Sequence, residues 1–179
     1  MIDVGNQTFR SGVLIQLAND AINFMNRTPR HTLPPQGDFI GSGVYMIFYK
    51  GNFAKYSHLS NTNTPIYVGK AVPTGWRTGV ISKPLEKKLK SRLSEHARSI
   101  NAASNLNLSD FECKFAIIPN DLAAIISVIE STMIQLLQPI WNTTIDGFGN
   151  HDPGSGRYQQ ARSNWDKLHP GRAWAEKLQ

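Results

Sequence analysis

A chain of 179 residues with 19 Lys and Arg against 13 Asp and Glu carries a formal net charge of +6 and a single cysteine, Cys113. One domain of this length buries roughly two-thirds of its unfolded surface, so folding needs no covalent staple, and a lone cysteine excludes an intrachain disulfide framework and any multi-cysteine zinc site. The positive balance biases the partners toward polyanions, nucleic acid first, because Lys and Arg that neutralise phosphates release condensed counterions.

The start, Met1-Ile2-Asp3-Val4-Gly5-Asn6, lacks a basic region followed by an apolar core, and no stretch approaches the roughly 20 apolar residues of a membrane span. A cytoplasmic protein with no membrane partner is therefore expected. From Gly12 to Arg27, Val13, Leu14, Leu17, Ala18, Ala21, Ile22 and Met25 recur at near-helical spacing, which predicts an amphipathic N-terminal helix ended by Pro29, Pro34 and Pro35. Gly43 to Tyr49 and Ile66 to Gly69 are rich in β-branched and aromatic residues and read as two strands able to pair antiparallel. The segment between them, Lys50 to Pro65, is longer than a hairpin loop and is expected to touch a ligand.

Pro84 suits the first turn of a helix to about Ala103, with Leu85, Leu89, Leu93, Ala97 and Ile100 as its buried stripe. Phe111, Cys113, Phe115 and Ile117 alternate with Glu112, Lys114 and Ala116, which predicts a third strand with Cys113 in the core. Asp121 is the expected N-cap of a second long helix whose buried face is Leu122, Ile125, Ile126, Ile129, Met133, Leu136 and Leu137, and Pro139 stops it. After Trp141 the composition turns to Gly, Asn, Ser, Arg and Trp, an irregular arm with a short helical candidate at Arg172 to Leu178. The expected organisation is a single domain over 1–179, with a core at about 40–142, an N-terminal helical extension at 1–39 and a C-terminal arm at 143–179.

The chemistry concentrates in a few residues. Tyr45 and Tyr67 share side-chain parity if their strands pair, since Val44 and Val68 then point to the opposite face. Arg92 and His96 lie one helical turn apart and can project toward a common anion, and a planar guanidinium donates two parallel hydrogen bonds to phosphate. Glu130 sits in a helix of Ile, Val, Met and Leu, where an unpaired carboxylate is costly, so it either reaches water at the helix margin or meets a cation or metal. One carboxylate with phosphate oxygens and waters is a common holder of Mg²⁺. Asn142, just past this helix, is as readily a cap or turn residue as a contact to phosphate or the metal shell. A phenol of pKa about 10 is a poor base at neutral pH, so Lys70, His96 or a metal must favour its ionised form, and Tyr45, His96 and Lys70 all stay open as the base.

In its order of residues, Gly43-Val44-Tyr45, Tyr67-Val68-Gly69-Lys70, Arg92, His96, Glu130 and Asn142, the chain resembles the GIY-YIG nucleases, with Ile replaced by Val in both triplets. The resemblance implies an α+β fold with a small central three-stranded antiparallel sheet flanked by helices. It implies an active site of Tyr45, Tyr67, Arg92, His96, Glu130 and Asn142, with Lys70 beside it, and one Mg²⁺ on Glu130 that Mn²⁺ replaces. Within the superfamily the pattern is most similar to the type II restriction endonucleases: there is no room for an appended DNA-binding domain, a histidine follows the arginine by one turn, and the tail resembles the arm of enzymes that cut the palindrome CCGCGG. The implied partners are double-stranded DNA, a second copy of the chain in a homodimer, and a DNA methyltransferase that protects the same site in a bacterial cytoplasm. Lys50, Lys55, Arg77, Arg157, Arg162 and Arg172 are the candidates for contact with the DNA. The alternatives are a non-catalytic DNA-binding module and a nicking or repair nuclease of the same fold.

Overall fold

The computed structural model describes residues 2–76, 86–154 and 156–179. Strands β1 (His31–Thr32), β2 (Ser42–Tyr49), β3 (Tyr67–Ala71) and β4 (Phe111–Ile118) form one sheet in the order β1-β4-β2-β3, with every neighbouring pair antiparallel. The sheet has four strands rather than the expected three. The addition, β1, pairs His31 with Cys113 and Thr32 with Glu112, and two residues between Pro29 and Pro34 are too few to show an alternating pattern. All eight residues of β2 are buried, because this strand has a strand on each edge and a helical layer on each face.

Among the described residues five α-helices accompany the sheet: α1 (Val13–Arg27), α2 (Lys88–Ala102), α3 (Ala123–Leu137) and the short α4 (Ile140–Thr143) and α5 (Asn164–Leu168). Alternation along β2 separates two cores. Val44, Met46 and Phe48 point to one face and share a core with Val68, with Ala18 and Met25 of α1 and with Ile126, Ile129 and Met133 of α3. Tyr45, Ile47 and Tyr49 point to the other and meet Tyr67, Leu89, Leu93 and Ile100. The stretch Asn120–Leu137 has a mean hydropathy of 1.3 over 18 residues, enough by length and composition to cross a membrane, and here it is a 3-10 turn plus α3 laid on the sheet.

Several local expectations shift. The start of α2 expected at Pro84 lies outside the described residues, and the described helix begins at Lys88. Asp121 does not cap α3: it sits inside the 3-10 turn Asn120–Leu122, and Leu122 takes the N-cap place without a side-chain bond. Leu122 and Leu136 are exposed rather than buried, since α3 packs only a narrow stripe against the sheet. The helix expected at Arg172 to Leu178 is a 3-10 turn, Ala175–Lys177, while α5 is capped by Ser163, whose Oγ accepts from the Asp166 N–H.

The glycines of the two motif triplets have steric work. Gly43 has φ +154°, and a Cβ there would run into the Ala116 carbonyl oxygen of β4. Gly69 lies opposite Tyr45 in the β2–β3 ladder, and a Cβ there would occupy the place of the Tyr45 hydroxyl. The arm is equally built in. Trp141, Phe148 and Trp165 belong to the core on the α2 side, and buried His169 bonds Asn105 Oδ1 through Nδ1 at 2.8 Å and the Tyr56 hydroxyl through Nε2.

A Gly43→Ala variant is expected to lose more than about 2 kcal/mol of stability through backbone strain and overlap with β4, read as a lowered urea midpoint. A wild-type midpoint would show that the strand can shift. Burial pushes the His169 imidazole down to about 4. The unfolded chain binds that proton near pH 6.5 and the folded chain does not, so this contribution, of order 3 kcal/mol, is complete above about pH 6.5 and is lost as pH falls toward 4. Urea unfolding across that range reads it as a falling midpoint, and a midpoint independent of pH contradicts it.

Candidate active site

The β2–β3 register sets Tyr45 against Gly69 and Tyr67 against Ile47, so both phenols face α2, with ring centroids 6.3 Å apart. Lys70 has the opposite parity and reaches toward α3, where its Nζ meets Glu130 Oε2 at 2.5 Å. Of the two readings of Glu130, the carboxylate therefore has a cation, and only 16% of its side chain is exposed. Tyr45, Tyr67, Lys70, Arg92 and Glu130 line one cavity of about 440 Å³ at the β3 edge of the sheet.

His96 stands behind this wall. It is 2% exposed, stacks on Phe148 with centroids 4.6 Å apart, and its Nε2 lies 2.5 Å from the Tyr45 hydroxyl. Burial first, then the Arg92 charge, holds the imidazole well below its ordinary pKa, so the ring is neutral at pH 7, and in the tautomer protonated at Nδ1 its Nε2 accepts from the phenol. Burial also raises both tyrosines, Tyr45 the more, and the nearby Arg92 charge pulls them back only in part. Neither phenol is a phenolate in the free protein, and the His96 ring is the neighbour within hydrogen-bond distance of the Tyr45 hydroxyl.

Arg92 is largely committed as well. Its Nη1 donates to Glu95 Oε2 at 2.8 Å and to a ring nitrogen of His151, and its Nη2 donates to the Gly149 carbonyl at 2.9 Å. Asn142, on α4, lies outside the cavity and acts on the edge of β3. Its Oδ1 accepts from the Val68 N–H and its Nδ2 donates to the Val68 carbonyl, both at 2.8 Å, in the manner of one further strand. This bracket fixes the residue between Tyr67 and Gly69, so Asn142 positions the site rather than facing its contents.

The proposed DNA contacts separate. Arg172 is a correction: at 3% exposure it is not available to bases or phosphate. It pairs with Asp166 at 2.6 and 2.7 Å, donates to the carbonyls of Gly147, Phe148 and Asn150, and lies between the rings of Trp165 and Trp174. Lys50 pairs with Glu112 at 3.1 Å and Arg162 with Glu176 at 2.8 Å, partly exposed bridges that cost little to exchange. Lys55 and Arg157 are exposed, and Arg77 lies outside the described residues.

The cavity wall also includes Glu95 and His151, neither of which the sequence marks as a site residue. Glu95 reads as an ordinary i,i+3 partner of Arg92. His151 lies in an irregular arm with no periodicity, and the one local signal is Gly149, where a Cβ would collide with the Tyr67 hydroxyl. Among the described residues no group of three or more His, Cys, Asp or Glu is placed to hold a metal. Glu130, which lines the cavity with its Oε2 on Lys70, offers a carboxylate, the kind of donor that fits a hard ion keeping most of its water.

No curated protein matches the chain at a significant level. The family model described as the Eco29kI GIY-YIG domain matches residues 37–179, which take in both tyrosine strands, α2, α3 and the arm, and the chain belongs to that family.

Proposed function

We propose that the protein is a type II restriction endonuclease that hydrolyses both strands of a palindromic, GC-rich DNA site with Mg²⁺. Its family is one of restriction-endonuclease-like nucleases. The observation that carries the reading is the convergence of Tyr45, Tyr67, Arg92 and Glu130 on one cavity, with His96 behind Tyr45 at hydrogen-bond distance.

In this reading a water attacks phosphorus while Tyr45 Oη takes its proton and passes its own phenolic proton to His96 Nε2. A neutral imidazole is suited to that step because its Nε2 lies within hydrogen-bond distance of the Tyr45 hydroxyl. Arg92 and the Tyr67 hydroxyl donate to the non-bridging oxygens as charge gathers on them. A Mg²⁺ held by Glu130 would add positive charge against the phosphate and the departing alkoxide. Lys70 keeps the Glu130 carboxylate at the cavity and is not the base, since its ammonium is engaged in that pair. Two copies related by a two-fold axis match a palindrome, Lys55 and Arg157 are exposed and Lys50 and Arg162 can leave their partly exposed bridges to contact DNA, and a methyltransferase of the same specificity protects the host.

Glu130→Ala is expected to abolish plasmid cleavage in Mg²⁺ while DNA binding, followed by gel shift, persists. Full activity in the variant takes the metal away from Glu130, and cleavage by wild type that survives EDTA takes metal out of the reaction. Arg92→Lys keeps the charge but loses the fork, and a fall in turnover of about a hundredfold is expected. Near-normal turnover would make Arg92 an ordinary helix charge. Because the relay requires neutral His96 and its pKa is depressed, the acid limb of the activity profile is expected below about pH 6.5, and an acid limb at or above pH 7 contradicts the relay.

A further inference from the structure

The arm segment 147–151 is fitted onto the cavity by a buried frame. The Arg172–Asp166 pair, enclosed by Trp165 and Trp174, holds the carbonyls of Gly147, Phe148 and Asn150. Phe148 stacks on His96, and the Gly149 carbonyl takes Arg92 Nη2. His151 is thereby delivered to the cavity wall with its ring exposed and its nitrogen accepting from Arg92 Nη1, which requires an unprotonated ring. Three of the five N–H groups of Arg92 go to Glu95, His151 and Gly149, and both of those on Nη1 are taken, so an anion that binds at Nη1 has to displace Glu95 or His151. Gly149 offers a backbone carbonyl and Glu95 a part-exposed carboxylate that repels an incoming anion, whereas His151 is the exposed and neutral partner.

We propose that His151 is a phosphate ligand of this site, held neutral on Arg92 in the free protein, released when a phosphodiester anion takes over Nη1, and then protonated from solvent so that it donates a hydrogen bond to the same anion. The proposal rests on the nuclease reading for the identity of the anion. Its physical basis is a reversal of field at one ring. In the free protein burial, Arg92 and Arg172 lower the His151 pKa, and Glu95 opposes them. Lys88 and Glu130 face the same cavity from α2 and α3, and the adjacent Asp152 is occupied by the Gly154 N–H and the Tyr158 hydroxyl. An anion paired with Arg92 cancels the nearest positive charge and adds a negative one, which favours imidazolium. Up to one proton per site is then taken up on binding, and affinity declines as pH rises through the pKa of the bound state.

The direct test is a pH titration of the histidine ring resonances by NMR, in sodium chloride and in sodium sulfate at equal ionic strength. Sulfate serves as a tetrahedral anion of constant charge, and the resonance missing from His151→Gln gives the assignment. The expected result is a pKa for His151 raised by about one unit or more in sulfate, and an unchanged pKa overturns the proposal. In the cleavage assay, His151→Ala is expected to lower kcat/KM about tenfold or more and to remove an alkaline limb present in wild type. His151→Gln, a neutral donor, is expected to recover part of the rate without that limb. Tighter DNA binding by His151→Ala would make the ring a mere competitor for Arg92 and would also overturn the proposal. If wild type cuts no DNA the nuclease reading fails, and the ring titration alone still decides whether His151 binds the anion.

Discussion

The pairing of Tyr45 with Gly69 is the contact on which the site depends. With a side-chain period of two, this register sends both tyrosines toward α2 and sends Val68 and Lys70 toward α3. A slip of one residue would put Tyr67 on the α3 face and break the meeting of phenols, guanidinium and imidazole. Three features hold the register. Gly69 leaves room for the Tyr45 ring, Gly43 lets β2 approach β4 closely, and Asn142 closes the outer edge of β3 on Val68. The motif glycines are thus space for the tyrosines rather than chemistry of their own.

Because β3 is an edge strand, the cavity at its rim draws on both layers. Tyr45, Tyr67 and Arg92 arrive from the α2 side and Glu130 from the α3 side, with Lys70 reaching round to hold it. The separation keeps the phenol–imidazole pair and the carboxylate apart while opening both layers to one space. Burial then sets the resting protonation states: it raises the phenols and lowers His96, so the pair rests neutral and leaves no isolated charge in the core.

Much of this was legible in the chain. β-Branched and aromatic enrichment marked the two tyrosine strands and alternation the strand at Phe111, helical spacing set Arg92 beside His96, and a carboxylate among apolar residues marked Glu130. The order of these residues, more than any single one, pointed to the family. What stayed hidden depends on long-range packing. Two residues of β1 carry no period, the Asn142 contact spans from α4 to β3, and the burial of Arg172 follows from aromatic rings and carbonyls gathered from separate parts of an irregular arm. An arginine in a Gly-rich tail reads as a phosphate contact until the tail is seen to be core. His151 was missed for the same reason, since only the Arg172 frame brings it to Arg92.

The measurement closest to the central claim is incubation of the purified protein with a sequence-diverse plasmid in Mg²⁺ or in EDTA, followed by sequencing of the product ends. The account predicts double-strand ends, only in Mg²⁺, that align on one palindromic sequence with the two cuts placed symmetrically about its centre. Tight, salt-sensitive binding without any cut, or scattered single-strand nicks with no shared sequence, would contradict it.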